Sequence, residues 1–248
     1  MSVEVKYLGW ASFLLTTPQD LKILTDPFLA GDEALGVPKS PVDPKDLVVD
    51  LILASHCAAD HFAQAMDVMA NSETTKILGD HSTMCLTEMA GFGDLNGPRA
   101  ELTTSGATYP IADCKIRAVD ARHIAFVHFP DGRYLTGEPL CYIISIENGP
   151  TIFFGGDTSI TMDMKLWGER YRPDIAIIGI GGVDLGGRSL DEMDPEDAAM
   201  CAEMLGVKTV IPMHYRGSDY LERFQKALAV RAPHCKCQAM KAGETILL

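Results

Sequence analysis

The chain has 248 residues, 47% of them hydrophobic, and this length and composition predict one globular domain, residues 1–248, with a large core. A formal net charge of −13 opposes contact with a long polyanion, so a nucleic-acid partner is not expected. The seven cysteines are scattered, as is typical of reduced core thiols, and we find no signal peptide or membrane-spanning run, which together predict a cytoplasmic protein.

The first third of the chain is rich in strands. Short apolar or alternating runs separated by turn residues predict a meander over Val3–Leu8, Ser12–Thr16 and Leu21–Thr25. After a proline-containing loop, the apolar run Val48–Ala54 predicts a buried strand, and the amphipathic run Phe62–Ala70 indicates a helix.

The rest of the chain repeats this order of strands and helices. Strands are predicted at Lys76–Gly79, Tyr142–Glu147, Thr151–Phe154, Ile175–Ile178, Thr209–Pro212 and Thr245–Leu248. Helices are predicted at Ser82–Ala90, Thr161–Tyr171 and Tyr220–Val230, and a further one is capped by Asp194, opened by Pro195 and closed by Gly206. Two strand-rich halves, each followed by helices, predict two sheets packed face to face with helices outside.

Two imidazoles and a carboxylate crowd the segment after the strand at Val48–Ala54. Between Ser55 and His61 the spacing of these side chains is His-x-x-x-Asp-His. Strand and helix ends fix the directions of side chains, and a metal site needs several ligands that converge on one point. This segment is therefore the first candidate for a metal site.

Four further residues of ligand type lie where predicted strands end. They are Asp26 after Lys22–Thr25, His123 after Cys114–Arg122, Asp157 after Thr151–Phe154 and two glycines, and His214 after the strand at Thr209–Pro212. Taken singly, each has a simpler explanation, as a capping aspartate or a hydrogen-bonded histidine at the edge of the core. The same placement at five strand ends favours a shared site.

From end to end the chain resembles the metallo-β-lactamase superfamily, and within it the small metal-dependent hydrolases that are similar to ascorbate-6-phosphate lactonase. The segments that carry the resemblance are Tyr7–Gly9, Ser12–Leu15, Thr25–Leu29, Ser55–His61, Phe154–Thr158, Gly179–Gly182, Met193–Glu196 and Ile211–Tyr215. The fold that this resemblance implies is α/β, a four-layer αββα sandwich with metal ions at one edge of its two sheets.

The resemblance also implies roles for individual residues. The implied ligands are His56 and His123 for a first ion and Asp60, His61 and His214 for a second, with Asp157 bridging the two. Asp26 would orient a ligand histidine from behind. The expected cofactor is a divalent metal, zinc first, with manganese or iron as alternatives. It would activate a water molecule, and Asp60 or Asp157 would accept a proton during turnover.

Two positions depart from the family pattern. The superfamily signature is His-x-His-x-Asp-His, and Ala58 stands at its second histidine, where a methyl group cannot coordinate. Unless a local bulge redirects it, Cys57 does not replace that ligand, because adjacent side chains of an extended segment point to opposite sides. Trp10 stands where this branch has histidine, and we expect it to shape the pocket. We therefore expect one tight ion, at the second position, and weak occupancy of the first.

The predicted function is that of a metal-dependent hydrolase acting on a small substrate. A lactone, an amide or a phosphoester fits this prediction, and the substrate can carry an anionic group. Arg216, Arg122 and Arg188 lie near predicted site segments, so one of them can hold such a group. The alternative, motivated by Ala58, is a degenerate member of the fold that binds a ligand or a partner without catalysis. A nuclease of the same fold is disfavoured by the net charge, and a homo-oligomer is compatible with the sequence.

Overall fold

The computed structural model describes residues 2–34, 36–94, 97–182 and 192–248. Its strands, in chain order, are β1 (Glu4–Gly9), β2 (Ser12–Thr16), β3 (Lys22–Thr25), β4 (Leu51–Leu53), β5 (Lys76–Gly79), β6 (Ala100–Leu102), β7 (Thr108–Ile111), β8 (Cys114–Asp120), β9 (Phe126–His128), β10 (Tyr134–Thr136), β11 (Leu140–Ile146), β12 (Thr151–Phe154), β13 (Ile175–Gly179), β14 (Thr209–Met213), β15 (Lys236–Cys237) and β16 (Thr245–Leu247). Its α-helices are α1 (Ala59–Phe62), α2 (Ala65–Met69), α3 (His81–Met89), α4 (Asp163–Tyr171), α5 (Pro195–Leu205) and α6 (Ser218–Arg231), and a 3₁₀ turn covers Pro44–Asp46.

The strands form two large sheets and one separate hairpin. The first sheet has the order β16-β1-β2-β3-β4-β5-β6 and the second the order β15-β14-β13-β12-β11-β8-β7, while β9 pairs with β10 alone. Each large sheet is mixed: its antiparallel part continues into parallel strands, from β3 to β6 in the first and from β12 to β15 in the second.

Alternate residues of the central strands face two different cores. On β12, Ile152 and Phe154 pack between the two sheets, whereas Phe153 packs against the outer helices α4 to α6. On β3, Ile23 faces the inner core and Leu24 the outer core under α2 and α3. Because strand side chains alternate between faces, both sheets are covered on both sides. This arrangement confirms the predicted αββα sandwich.

Most predicted elements agree with the structure to within a few residues, but the helix predicted at Phe62–Ala70 does not. The carbonyl of Ala58 accepts hydrogen bonds from His61 N and Phe62 N at 3.0 and 2.9 Å, so the helix begins before Asp60. It breaks at Gln64, whose backbone amide donates to Pro27 O at 3.0 Å instead of to the preceding turn, and whose side-chain oxygen accepts hydrogen bonds from the backbone amides at positions 29 and 30. Asp60 and His61 therefore lie within a helical turn, α1, whereas the prediction placed them before the start of a longer helix.

Several contacts join the two sheets at one edge. The hydroxyl of Tyr142 on β11 donates to the carbonyl of Ala54 at 2.7 Å, and Leu140 N donates to Ser55 O at 2.9 Å. Gly156 has φ +52°, and a Cβ there would lie 2.5 Å from Ser55 Cβ, so only glycine permits this approach. The loops that follow β4 and β12 are thereby held against each other.

Among the helices in the described part of the chain, none combines the length and apolar character needed to cross a bilayer.

Candidate metal centre

The candidate ligands meet because the strands that carry them end at the same edge. β3 and β4 are parallel, as are β12, β13 and β14, and β8 runs in the same direction as β12 because both are antiparallel to β11. The candidate residues that follow these strands are Asp26 after β3, His56 after β4, His123 after β8, Asp157 after β12 and His214 after β14, and Asp60 and His61 are carried by α1. Chain direction thus brings together side chains that are far apart in sequence.

Asp60, His61, Asp157 and His214 form what we call the four-residue group. Each offers one ligand atom, and these atoms all lie within 4.8 Å of one another. His61 Nε2 and His214 Nε2 lie 3.0 and 3.2 Å from Asp157 Oδ2, and His214 Nε2 lies 3.4 Å from Asp60 Oδ2. Two imidazoles and two carboxylates at these separations are a donor set that suits a divalent ion.

His56, His123 and Asp157 form a second set, the three-residue group, whose ligand atoms also lie within 4.8 Å of one another. His123 Nε2 is 3.9 Å from Asp157 Oδ2, and the His56 ring centroid is 4.9 Å from that of His123. Asp157 belongs to both groups, which is the position a bridging ligand occupies.

Some buried polar atoms of these two groups lack a hydrogen bond among the described residues. Within the described residues, His56 Nε2 and Asp157 Oδ1 are buried and make no hydrogen bond, and buried His61 Nε2 makes none of suitable geometry although Asp157 Oδ2 lies 3.0 Å away. Buried polar atoms are almost always hydrogen-bonded, and leaving one unpaired costs about 1–3 kcal/mol. Three such atoms facing one point fit a metal ion, since lone pairs of imidazole and carboxylate are the atoms that coordinate one.

The buried histidines and carboxylates of the two groups shift one another's pKa values. Burial alone would lower the pKa of His61 and His214, but the Asp157 carboxylate, with Asp26 at His61 and Asp60 at His214, raises both. Burial opposes ionisation of Asp157, yet the charges of His214 and His61 bring its pKa below the usual range. Burial and the charge of His61 lower the pKa of His56. A cation entering the site would therefore displace protons from histidines that now balance the carboxylates.

Asp26 holds His61 from behind. Its Oδ2 lies 2.8 Å from His61 Nδ1 and accepts a hydrogen bond from Ser55 Oγ at 2.7 Å, while Oδ1 accepts one from Ser55 N at 2.7 Å. Ser55 Oγ also lies 3.0 Å from His56 Nδ1. These contacts place the Nδ1 proton of each imidazole toward an oxygen, which leaves Nε2 facing the site as a ligand atom.

We expect Asp26→Asn to weaken Zn²⁺ binding by about 10–100-fold, the usual cost of losing an outer partner of a ligand histidine. In the variant, the NH₂ group of the carboxamide, a donor, would replace Oδ2, which accepts hydrogen bonds from Ser55 Oγ and His61 Nδ1. His61 would then change tautomer and carry its proton on Nε2, where a metal needs the lone pair. Titration with Zn²⁺ against a competing chelator measures the loss.

Asp113→Asn is the matched control for this prediction. Asp113 is also buried and accepts a hydrogen bond from Thr17 Oγ1 at 2.7 Å, but it precedes β8, at the edge opposite the site. It should leave Zn²⁺ affinity unchanged. Equal losses in the two variants would show that the effect reports general destabilisation instead of the orientation of His61.

Trp10 contacts two members of the four-residue group. Its Nε1 donates to Asp60 Oδ2 at 3.1 Å, and its ring centroid lies 3.9 Å from that of His214. Its carbonyl accepts the His214 amide at 3.2 Å, and the Arg216 guanidinium lies 5.5 Å from the Trp10 ring centroid. The sequence predicted only that Trp10 shapes the pocket. In the structure Trp10 also orients the Asp60 carboxylate through its indole N–H. Trp10, Asp26 and His214 also share the left-handed backbone region, with φ of 53°, 33° and 52°.

We expect Trp10→Phe to weaken Zn²⁺ binding by about tenfold, because the ring stays but the donor that orients Asp60 is lost. Trp167→Phe is the control, since Trp167 stacks on Phe153 in the outer core and should bind Zn²⁺ like the wild type. Trp10→His should alter substrate preference without removing activity. Wild-type affinity in Trp10→Phe would mean that the indole hydrogen bond does not position Asp60.

Glu192 is a site residue that the sequence pattern did not predict. Its Oε2 lies 3.4 Å from His214 Nδ1, with its side chain 8% exposed. Burial and the charge of Asp157 raise the pKa of Glu192 to about 7, against the pull of His214. Ser55 was likewise part of the motif without an assigned role. The only sequence signal for Glu192 is that it immediately precedes the segment Met193–Glu196.

The remaining predicted residues surround the centre in different ways. Arg216 is exposed beside Trp10, and Arg122 is exposed with its amide donating to Thr158 Oγ1 at 2.9 Å, whereas Arg188 lies outside the described residues. Ala58 has φ −63° and ψ 150° and precedes the first turn of α1. Cys57 is buried, and burial raises the pKa of its thiol, which lies near Ser82 and Asp80 at the start of α3. Neither ligand group found in the described residues includes Cys57.

Comparison with known proteins shows the family of this chain. A family profile described as Beta-lactamase superfamily domain matches residues 4–214. A UPF0173 metal-dependent hydrolase from Rubrobacter xylanophilus is 31% identical over 250 residues, which cover 98% of this chain and 96% of that protein.

Two solved structures share the fold. Igni18, a metallo hydrolase from Ignicoccus hospitalis, superposes with a TM-score of 0.78 at 23% identity, covering 100% of this chain and 99% of that one. CmlA, a diiron beta-hydroxylase from Streptomyces venezuelae, has a TM-score of 0.72 at 15% identity and covers 99% of this chain and 54% of its own. The profile match over most of the chain, and the full-length relative, show that this protein belongs to the beta-lactamase superfamily and, within it, to the UPF0173 metal-dependent hydrolases.

Proposed function

We propose that this protein hydrolyses a small substrate at a centre in which the four-residue group holds one tight divalent ion. Zinc is the first choice, with manganese or iron as alternatives. The observation that carries the proposal is the convergence of four ligand atoms within 4.8 Å, together with buried atoms such as Asp157 Oδ1 that have no hydrogen-bond partner in the described residues. Two histidines and two carboxylates suit all three metals, and CmlA, a fold relative, is named as a diiron protein.

The bound ion would supply Lewis acidity, which lowers the pKa of a water molecule toward about 7 and polarises a substrate carbonyl or phosphoryl oxygen. Asp60 is the accessible member of the group, with its side chain 32% exposed, whereas Asp157 is 3% exposed. We therefore assign proton transfer to Asp60, which Trp10 and His214 hold in place. Asp157, shared by both groups, would serve as a metal ligand.

Several substrate classes fit this chemistry. A lactone, an amide or a phosphoester each presents an oxygen that a divalent ion polarises, and the fold does not select among them. Arg216, exposed beside Trp10, is placed to pair with an anionic group of the substrate. We further propose that the protein works in the cytoplasm, in agreement with its seven free cysteines, and that it can form a homo-oligomer.

The test is a screen of metal-free protein reloaded with Zn²⁺, Mn²⁺ or Fe²⁺ against lactones, amides and phosphoesters. We expect turnover of at least one class only after reloading. Equal turnover in chelator-treated protein would contradict the proposal. Tight binding of a metal or ligand without turnover of any class would favour the non-catalytic binding protein that Ala58 suggests.

A further inference from the structure

The hairpin of β9 and β10 begins three residues after His123 and belongs to neither large sheet. Its register pairs Tyr134 with His128 and Thr136 with Phe126. Because opposite residues of an antiparallel pair point to the same side, these four side chains share one face of the hairpin. We call this face the aromatic wall.

The aromatic wall exposes unusually large apolar groups. Phe126 is 48% exposed and Tyr134 64% exposed, and Ile124, just before the hairpin, is 51% exposed. The Tyr134 ring lies 4.4 Å from the His128 ring and 6.1 Å from the Phe126 ring, centroid to centroid. Large apolar groups that cluster at a surface mark a place where another molecule is bound.

The wall borders the candidate metal centre. An open depression of about 450 Å³ is lined by Ile124, Phe126 and Tyr134 and also by His123. His123 Nε2 lies 3.9 Å from Asp157 Oδ2, so the depression leads to the three-residue group. Its volume lies within the range of small-molecule sites, about 300–1,000 Å³.

The hairpin is fixed where it joins the rest of the molecule. Gly137 N donates to Ala125 O at 3.0 Å and closes its base. Glu138 N donates to Asp80 Oδ2 at 2.9 Å, and Asp80 is a buried carboxylate that also caps α3. The wall therefore has a defined position relative to His123.

The chemistry of the depression selects its occupant. None of the described residues that line it is an acid, a lysine or an arginine, whereas Arg216 lies on the Trp10 side of the centre. Phe and Tyr rings pack favourably against another ring, stacked with an offset or edge to face, and the described lining of the depression offers no charged lysine, arginine or acid to pair with an ionic group. We propose that the aromatic wall receives an aryl group of the substrate while the scissile bond lies at the metal centre. This inference rests on the proposed function, because it places the reacting group there.

Two hydroxamates separate the wall from the centre. Acetohydroxamate and phenylacetohydroxamate share the same metal-chelating group and differ by one phenyl ring, so their ratio of affinities for zinc-loaded protein reports the ring alone. Measured by calorimetry, the aryl compound should bind about tenfold more tightly to the wild type, a gain typical of a ring that packs on aromatic side chains. The double variant Phe126→Ser with Tyr134→Ser should lose that preference but keep its affinity for acetohydroxamate.

Matched variants keep this test interpretable. Tyr134→Phe retains the ring and should retain the preference for the aryl compound. Val230→Ser removes an apolar side chain, 83% exposed, from the end of α6, outside the aromatic wall, and should also retain that preference. Equal affinities of the two hydroxamates in the wild type, or an undiminished preference in the double variant, would overturn the wall and leave the metal centre standing. Absence of binding by both compounds would refute the centre itself and the wall with it. A self-association that the double variant abolishes, without any aryl preference, would assign this face to contacts between copies of the chain.

Discussion

Asp157→Ala should abolish both tight metal binding and turnover. Asp157 Oδ2 lies 3.0, 3.2 and 3.9 Å from nitrogens of His61, His214 and His123, so this one carboxylate serves both ligand groups. Loss of an outer partner of a ligand lowers metal affinity by about 10–100-fold, and loss of Asp157 itself should lower Zn²⁺ affinity by more than that. His61→Ala should have the same effect on turnover, because it also removes a ligand atom.

The fold should persist in Asp157→Ala, because Phe153 and Phe154 on β12 keep their packing in the two cores. Circular dichroism and thermal melting check this, and zinc titration with turnover assays checks the main effect. Asp174→Ala is the control: Asp174 precedes β13 at its other end, where it accepts hydrogen bonds from Thr151 N and Lys208 Nζ. Full turnover in Asp157→Ala would refute the proposed mechanism.

Each chain should retain one tightly bound ion after dialysis. The four-residue group offers four ligand atoms, whereas the three-residue group offers only His56 and His123 besides the shared Asp157. Affinity generally falls when a ligand is missing, although water can take its place. Elemental analysis of dialysed protein measures the stoichiometry, and two equally tight ions would contradict the expectation.

Ala58→His should then add a second tight ion. Position 58 follows His56 by two residues and precedes Asp60 by two, where the superfamily signature has its second histidine. An imidazole there would raise the three-residue group to four donors. Ala59→His is the control, because Ala59 is exposed at the start of α1 and should leave the stoichiometry at one. No change in Ala58→His would mean that its side chain does not face the three-residue group.

Local pattern was enough to predict most of the fold. The short apolar runs within Lys22–Thr25 and Thr151–Phe154 correspond to strands that are covered on both faces. Asp194 and Gly206 bound α5 as their capping chemistry requires. Such features depend on neighbours in the chain, so they are visible in it. The helix after His61 was predicted wrongly because its break at Gln64 depends on hydrogen bonds to residues 27, 29 and 30, far away in sequence.

For the site, the sequence by itself determined which residues stand at strand ends, and the resemblance suggested their roles. Only the tertiary structure decided which of them meet. The parallel strands β12 and β14 of the second sheet bring Asp157 and His214 to α1, which follows β4 of the first sheet and carries Asp60 and His61. The tertiary structure also decided that Trp10 donates a hydrogen bond to Asp60 and that Glu192 lies beside Nδ1 of His214. These contacts join residues up to 154 positions apart in the chain. Their distances follow from how two sheets pack, and no pattern of neighbouring residues encodes that packing.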